Sequence, residues 1–356
     1  MLSRVANSIY WMSRYVERAE NIARFIDVTL QVILDQPAES GEQWEPLIRT
    51  TGDEKFFEER YGEFNSSNVL KFLSFDRSYS NSIITCLQNA RENARTVREA
   101  ISSESWEQLN AYYHFVKEAS VSPNSYSDPE FYDRVRQHSQ LFSGILDATM
   151  TRGTGWHFAN IGSLIERADK TSRILDVKYF TLLRNVQDID TTFDDLLWSA
   201  VLRSVSGFEM FRKRHHTLTV HRVVDFLVLD PKFPRTVLYC LEQTLHSLNR
   251  IEASIPNDQN PAIYKTIELI RSLRSMTANV IIDGGMHEFI DSFQSQLNDI
   301  GKAINDTFFK ARSFTTSQLP QGPHSLKSRA DAAFQPEPAY QSNTQSQSIS
   351  SISIES

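Results

Sequence analysis

Glycine and proline are scarce, twelve of each in 356 residues. Few positions therefore force a turn or break a helix. Cysteine is scarcer still. Cys86 and Cys240 are too few for a disulfide framework, and their apolar helical contexts make each read as a buried, inert thiol. No uninterrupted apolar run reaches the roughly 18 residues of a membrane span. No basic stretch followed by an apolar one opens the chain, so a cytoplasmic protein with no membrane partner is expected. Positive charge is not in excess: 37 Lys and Arg face 44 Asp and Glu, a net charge of −7. That balance speaks against a nucleic-acid partner.

Motifs for cofactors are missing as well. Gly153-Thr154-Gly155 has neither the spacing nor the preceding strand of a phosphate loop. There is no Cys-x-x-Cys and no His-Glu-x-x-His. Glu242 and His246 share a helix face, but no second such pair accompanies them, as a di-iron bundle requires. No metal and no cofactor is expected. Neither cysteine has a histidine near it in sequence to make it a nucleophile.

What the chain does have is helix. Apolar residues recur at helical spacing through long segments rich in Ala, Glu, Leu and Arg. Helices are expected at Ser3–Leu34, Ser80–Ile101, Glu104–Ala119, Glu130–Met150, Trp156–Val186, Pro234–Ala253, Pro261–Ile282 and Met286–Ser313, with shorter ones between. Asn65 and Ser102 read as N-caps. Pro37–Gly41 reads as a break and Pro256–Asn260 as a loop, while Asp190 and Thr191 start a helix at Thr192–Leu202.

The chain also repeats itself. Tyr15-Val16-Glu17-Arg18-Ala19-Glu20-Asn21-Ile22-Ala23-Arg24 and Asp27-Val28 return 149 positions later as Glu166-Arg167-Ala168-Asp169, Arg173 and Asp176-Val177. At a shift of 154, Trp44, Arg49, Phe57, Arg60, Asp76 and Cys86 match Trp198, Arg203, Phe211, Arg214, Asp230 and Cys240. A repeat of this length describes how the whole chain was assembled. The expected fold is an all-α, internally duplicated helical bundle. One half is residues 1–150 and the other 151–314, packed as one body. Residues 315–356, rich in Ser, Gln and Pro, read as a disordered C-terminal tail.

Both copies keep the same charged residues, which makes Glu17, Arg18, Glu20, Arg24, Glu166, Arg167, Asp169 and Arg173 the candidate site. On a helix Glu17, Glu20, Arg24 and Asp27 fall within about a quarter of the circumference, along the edge of a core face. They could form only an intrahelical ladder, Glu20 to Arg24 and Arg24 to Asp27. If the two helices pack together, the acids and arginines converge. A half-buried cluster of that kind can do general acid–base work on an anionic substrate. It can equally be a polar seam that fixes helix register, or a surface for a partner. Tyr10, Trp11 and Trp156 begin the two repeated helices and read as core, with a ligand-lining role as the alternative. Long amphipathic helices also permit a homodimer.

The opening Met1-Leu-Ser-Arg4-Val-Ala-Asn7-Ser-Ile-Tyr10-Trp11-Met-Ser-Arg14-Tyr-Val-Glu17-Arg18-Ala19-Glu20 resembles the signature of the bacterial alpha-E family. The likeness continues through Arg91-Glu92-Asn93-Ala94-Arg95, Trp106-Glu107-Gln108-Leu109, Gly155-Trp156-His157-Phe158 and Leu229-Asp230-Pro231-Lys-Phe233-Pro234-Arg235. It covers about residues 1–312 and leaves the tail outside. The resemblance implies an all-helical protein. Through the family's usual gene neighbourhoods it also implies an ATP-grasp amide ligase and a transglutaminase-like peptidase as partners. An accessory role in making or trimming amide-linked peptides follows, the alternatives being an enzyme in its own right or a helical scaffold. The residues it carries over are the eight charged ones, with Arg91, Glu92 and Arg95 behind them; Arg14, beside Tyr10 and Trp11, is a further secondary candidate.

Overall fold

The computed structural model describes residues 1–35, 44–49, 51–122, 125–183, 192–251 and 260–310. The break expected at Pro37–Gly41, the helix start at Asp190-Thr191, residues 256–259 of the expected loop and the tail at 315–356 lie outside these residues, while Asn260 caps α13. Every regular element among those described is helical. The chain begins with α1 (Ser3–Asp35), α2 (Glu45–Arg49), α3 (Glu54–Tyr61), α4 (Ser66–Phe75), α5 (Ile83–Thr96), α6 (Ser103–Ala119) and α7 (Pro129–Thr149). Then follow α8 (Thr154–Leu183), α9 (Thr192–Ser204), α10 (Phe208–Arg214), α11 (Val220–Val224) and α12 (Val237–Ile251). The last are α13 (Pro261–Arg274), α14 (Ala278–Asp283) and α15 (Met286–Ile304).

Local signals set most of the boundaries. The Asn65 side chain accepts from the Asn68 N–H at 2.9 Å and Ser102 from the Ser105 N–H at 3.1 Å, as their cap positions require. Three expected helices are shorter in the structure. The one expected from Pro234 starts at Val237, with Pro234 in the turn before it. The segment expected at Ser80–Ile101 starts at Ile83, because the Ser82 hydroxyl takes the Thr85 N–H, and it ends in a 3₁₀ turn at Arg98–Ala100. Pro261–Ile282 is two helices, since Thr277 caps a fresh start at Ala278.

The long helices close into two circuits. In one, α1, α5, α6 and α7 pack each against the next and back to α1; in the other, α8, α12, α13 and α15 do the same. The circuits share a wall where α1 lies along α8, and a single apolar core runs through both. The approach is close because Gly162 has no side chain: a Cβ there would collide with the Tyr10 carbonyl oxygen. Both cysteines are fully buried, and burial pushes each thiol up to about 12, so both are inert at neutral pH.

Positions 154 apart take equivalent roles. Phe57 meets Phe72 edge-on at 5.2 Å and Phe211 meets Phe226 edge-on at 5.6 Å. Phe72 stacks on Tyr79 as Phe226 stacks on Phe233. Arg60 pairs with Asp76, and Arg214 with Asp230. Asn65 and Thr219 cap their helices in the same way.

Candidate functional site

Helix α1 is buried almost all round. Glu17, Glu20, Arg24 and Asp27 are only 2, 2, 1 and 5% exposed. The sequence placed this stripe at the edge of a core face; α8, α5, α7 and α9 instead enclose it. A charge in such a place must be paired, since leaving it bare costs several kcal/mol.

The pairing is crossed. From α1, Arg18 donates to Glu166 of α8, Nε to Oε1 at 2.7 Å and Nη2 to Oε2 at 3.0 Å. From α8, Arg167 donates to Glu17 of α1, Nε to Oε1 at 3.0 Å and Nη2 to Oε2 at 2.7 Å. Each Glu-Arg dipeptide therefore binds the other through the same two-pronged fork, the strongest geometry for a guanidinium and a carboxylate. Arg14 and Lys170 add to the charge on Glu166, and Arg235 and Asn21 complete the shell of Glu17. Burial alone would raise the Glu17 carboxyl, but Arg167 and Arg235 outweigh it and bring it down to about 2. Burial opposes ionisation of Glu166 too, and Arg18, Arg14 and Lys170 hold it well below the usual carboxylate range.

Beyond the crossing lie two further clusters. In the first, the single oxygen Oε1 of Glu20 accepts Arg24 Nε at 2.8 Å and Nη2 at 2.7 Å, and Arg235 as well. Its other oxygen accepts the Ser139 hydroxyl of α7 at 2.7 Å. Arg24 Nη1 donates to the Ser206 hydroxyl at 2.7 Å. Burial, then the neighbouring Arg235, lowers Arg24 to about 10. Of the expected ladder, Glu20 to Arg24 is present, whereas Asp27 pairs with Arg136 of α7 at 3.0 Å. The second cluster is its counterpart on α8. Asp169 accepts Arg173 Nε at 3.0 Å and Lys170 at 2.9 Å. Asp176 meets His287 of α15 at 2.8 Å.

The second cluster opens onto a cleft of about 450 Å³ between α1, α8 and α15. Arg14, Arg18, Lys170, Arg173 and Lys302 line it, with Asp169 the only acid among the lining residues. Tyr10 and Trp11 form part of its wall, with the Arg14 guanidinium over the Trp11 ring at 4.9 Å. Among the remaining sequence candidates, Arg91, Glu92 and Arg95 are not brought to the crossing. Arg91 lies over Trp106 and Tyr113 and donates to Asn110 of α6, while Glu92 pairs with Arg91 and Arg95. Trp156 stacks under Arg152 in a separate cleft of about 560 Å³ with His157 and His246. Arg235, Ser139 and Ser206 were not among the sequence candidates. Arg235 appeared only within the Leu229–Arg235 stretch of the resemblance, and its place 154 positions after Asn81 was the available signal. Among the described residues no group of three or more His, Cys, Asp or Glu could hold a metal ion.

Fold and site together define an all-helical protein built around a crossed pair of buried Glu-Arg dipeptides. The chain belongs to the Alpha-E family, described as a predicted alpha-helical domain with a conserved ER motif, whose model matches residues 1–309. It is also similar, at 22% identity over 329 residues, to uncharacterized proteins of Mycobacterium bovis and Mycobacterium tuberculosis. That match covers 85% of this chain and 36% of each relative, so the chain spans about a third of their length. No solved structure matches the chain. No helix among the described residues is long and apolar enough to cross a membrane.

Proposed function

We propose that the chain is an accessory protein of an ATP-grasp amide-ligase system, working with a transglutaminase-like peptidase in peptide synthesis or modification. On this reading it contributes by binding rather than by making or breaking bonds. The observation that carries the binding role is the state of the buried acids. Glu17 and Glu166 are ionised and accept from arginines on both oxygens. A carboxyl brought down to about 2 has no proton to give at neutral pH and is a weak base. The enzyme reading that relies on these acids is weaker for that reason, and the seam reading of the crossing is stronger. The cationic edge of the cleft is what is left to meet a ligand.

The two circuits, the crossed dipeptides and the matched aromatic pairs also support a duplicated ancestor, with halves at 1–150 and 151–314. These are repeats sharing one core. The partner assignment is tested by native co-purification of the tagged chain from its own cells, with mass spectrometry. Recovery of an ATP-grasp protein or a transglutaminase-like peptidase is expected. Recovery of folded protein alone would sink it.

A further inference from the structure

The two charge clusters on α1 and α8 occupy equivalent positions and are finished differently. Glu20 corresponds to Asp169, Arg24 to Arg173, Arg235 to Asn81, and Ser206 to Gly52. In the α1 cluster all three side-chain nitrogens of Arg24 are engaged, two by Glu20 and one by the Ser206 hydroxyl. In the α8 cluster only Arg173 Nε is engaged, by Asp169. Its Nη1 and Nη2 make no hydrogen bond among the described residues.

Each difference has a cause in the sequence. Asp169 is one methylene shorter than Glu20, so its carboxylate does not extend to the terminal nitrogens. Gly52 and Ser206 both sit in the left-handed region, at φ 76° and 53°, on the turns that follow α2 and α9. Ser206 closes its turn over the end of Arg24 with a hydroxyl. Gly52 has none, and a Cβ added there would stand 3.9 Å from Arg173 Nη1, in open van der Waals contact. Asn81, where the other half has Arg235, accepts from Arg18 at 2.7 Å and donates to Asp53 at 3.4 Å, and it brings no positive charge to the cluster. The result is a cavity beside a guanidinium that has two donors to spare. Lys302 of α15 lines the same cleft.

We infer that the cleft is a binding site for a carboxylate-bearing ligand, a short acidic peptide, held by Arg173 and Lys302. The closed half shows the chemistry that completes the open one: a carboxylate across Nη2 and a hydroxyl on Nη1. Asn81, Asn298 and Asn305, which also line the cleft, carry both donors and acceptors and so suit peptide groups. A phosphate would use donors alone. The volume is that of a small-ligand site. The site itself follows from the geometry; its occupant being a peptide rests on the accessory reading above.

The test is calorimetric titration of the full chain with triglutamate, and separately with inorganic phosphate. Triglutamate is expected to bind, and phosphate to bind at least about tenfold more weakly. Arg173→Gln and Lys302→Ala should each weaken triglutamate by about tenfold, the value of one charge-assisted hydrogen bond. Lys302 is exposed, so its variant folds whatever Arg173→Gln does. Gly52→Ser, which installs the hydroxyl of the closed half, should also reduce binding. Phosphate binding as tightly as triglutamate would overturn the peptide assignment. No triglutamate binding, or binding indifferent to both Arg173→Gln and Lys302→Ala, would overturn the site. Titration with no partner recovered from cells would refute the accessory reading and leave the site standing. Partner recovery without titration would do the reverse.

Discussion

Arg24 and Arg173 sit at equivalent places on the two central helices, yet one is sealed and the other faces a cleft. Arg24 is 1% exposed with every donor nitrogen used. The Arg173 side chain is 24% exposed with one nitrogen used. The same residue type on the same framework therefore serves two ends. One arginine is structure, because removing it would take two of the hydrogen bonds that hold a buried carboxylate, leaving that group to Arg235 and Ser139. The other keeps directional hydrogen-bonding capacity, which a folded protein ordinarily satisfies internally. A surplus of that kind beside a cavity is informative because its counterpart has none.

The strongest way to break the comparison is to cut the crossing that both clusters share. Glu17→Gln combined with Glu166→Gln leaves the half-buried Arg18 and Arg167 without their forked counter-charges. Each change should cost about 3–5 kcal/mol, read by chemical denaturation, and the double variant should be unfolded or nearly so. A folded double variant of unchanged stability would show the crossing to be dispensable. Acid probes the same pair. The folded Glu17 value near 2 lies below the ordinary 4.5, so its stabilisation is fully present above about 4.5 and is lost as pH falls toward 2. Glu17→Gln should flatten the stability profile across that window.

Next comes the contrast itself. Arg24→Met should destabilise by about 3 kcal/mol, because the fully buried Glu20 loses two charged hydrogen bonds and Ser206 loses its donor. Arg173→Met should cost about 1 kcal/mol or less, since Asp169 keeps Lys170 and the pair is partly solvated. Equal losses in thermal unfolding would erase the distinction drawn here.

A smaller effect separates the turn residues. Ser206→Ala removes the hydroxyl from Arg24 while keeping the left-handed backbone, and should cost about 1 kcal/mol. Ser206→Gly removes the hydroxyl but relieves about 1 kcal/mol of backbone strain, so it should be near neutral. The smallest effect concerns the outer pairs. Arg136 on Asp27 is always charged, whereas His287 on Asp176 is not. The hydrogen bond to Asp176 raises His287 above its ordinary 6.5. Its contribution is therefore complete below 6.5 and fades as pH rises through the raised value. Asp27 and Arg136 should show no such dependence. Following the His287 ring by NMR titration, with and without Asp176→Asn, checks the sign.

Much of the fold was legible because its signals are local. Asn65, Ser102 and Pro261 mark helix starts by groups that act within one turn, and the long helices of the two circuits were visible from their apolar spacing. The burial of Glu17, Glu20 and Arg24 was not legible. A polar stripe looks alike whether two helices or four surround it, and the number of neighbours is a tertiary fact. The split of the Pro261–Ile282 segment at Thr277 and the pairing of Asp27 with Arg136 were hidden for related reasons: a competing cap in one case, a partner on another helix in the other. For the site, the eight charged residues were visible from the repeat. The positions where the halves differ, Gly52 against Ser206 and Asn81 against Arg235, were overlooked because matching residues drew the eye and mismatched ones did not.

The crossing has a further consequence for connectivity. Because Arg18 pairs with Glu166 and Arg167 with Glu17, neither circuit supplies the forked partner of its own dipeptide. Cutting the chain at the Thr151–Gly153 turn would yield two fragments with complementary interfaces, and co-expression should return a non-covalent heterodimer. A first half expressed alone has one remedy, to set Glu17 of one copy against Arg18 of another. The covalent link between the circuits then serves to enforce pairing of unlike partners, so that a sealed cluster and an open one are always present in the same molecule.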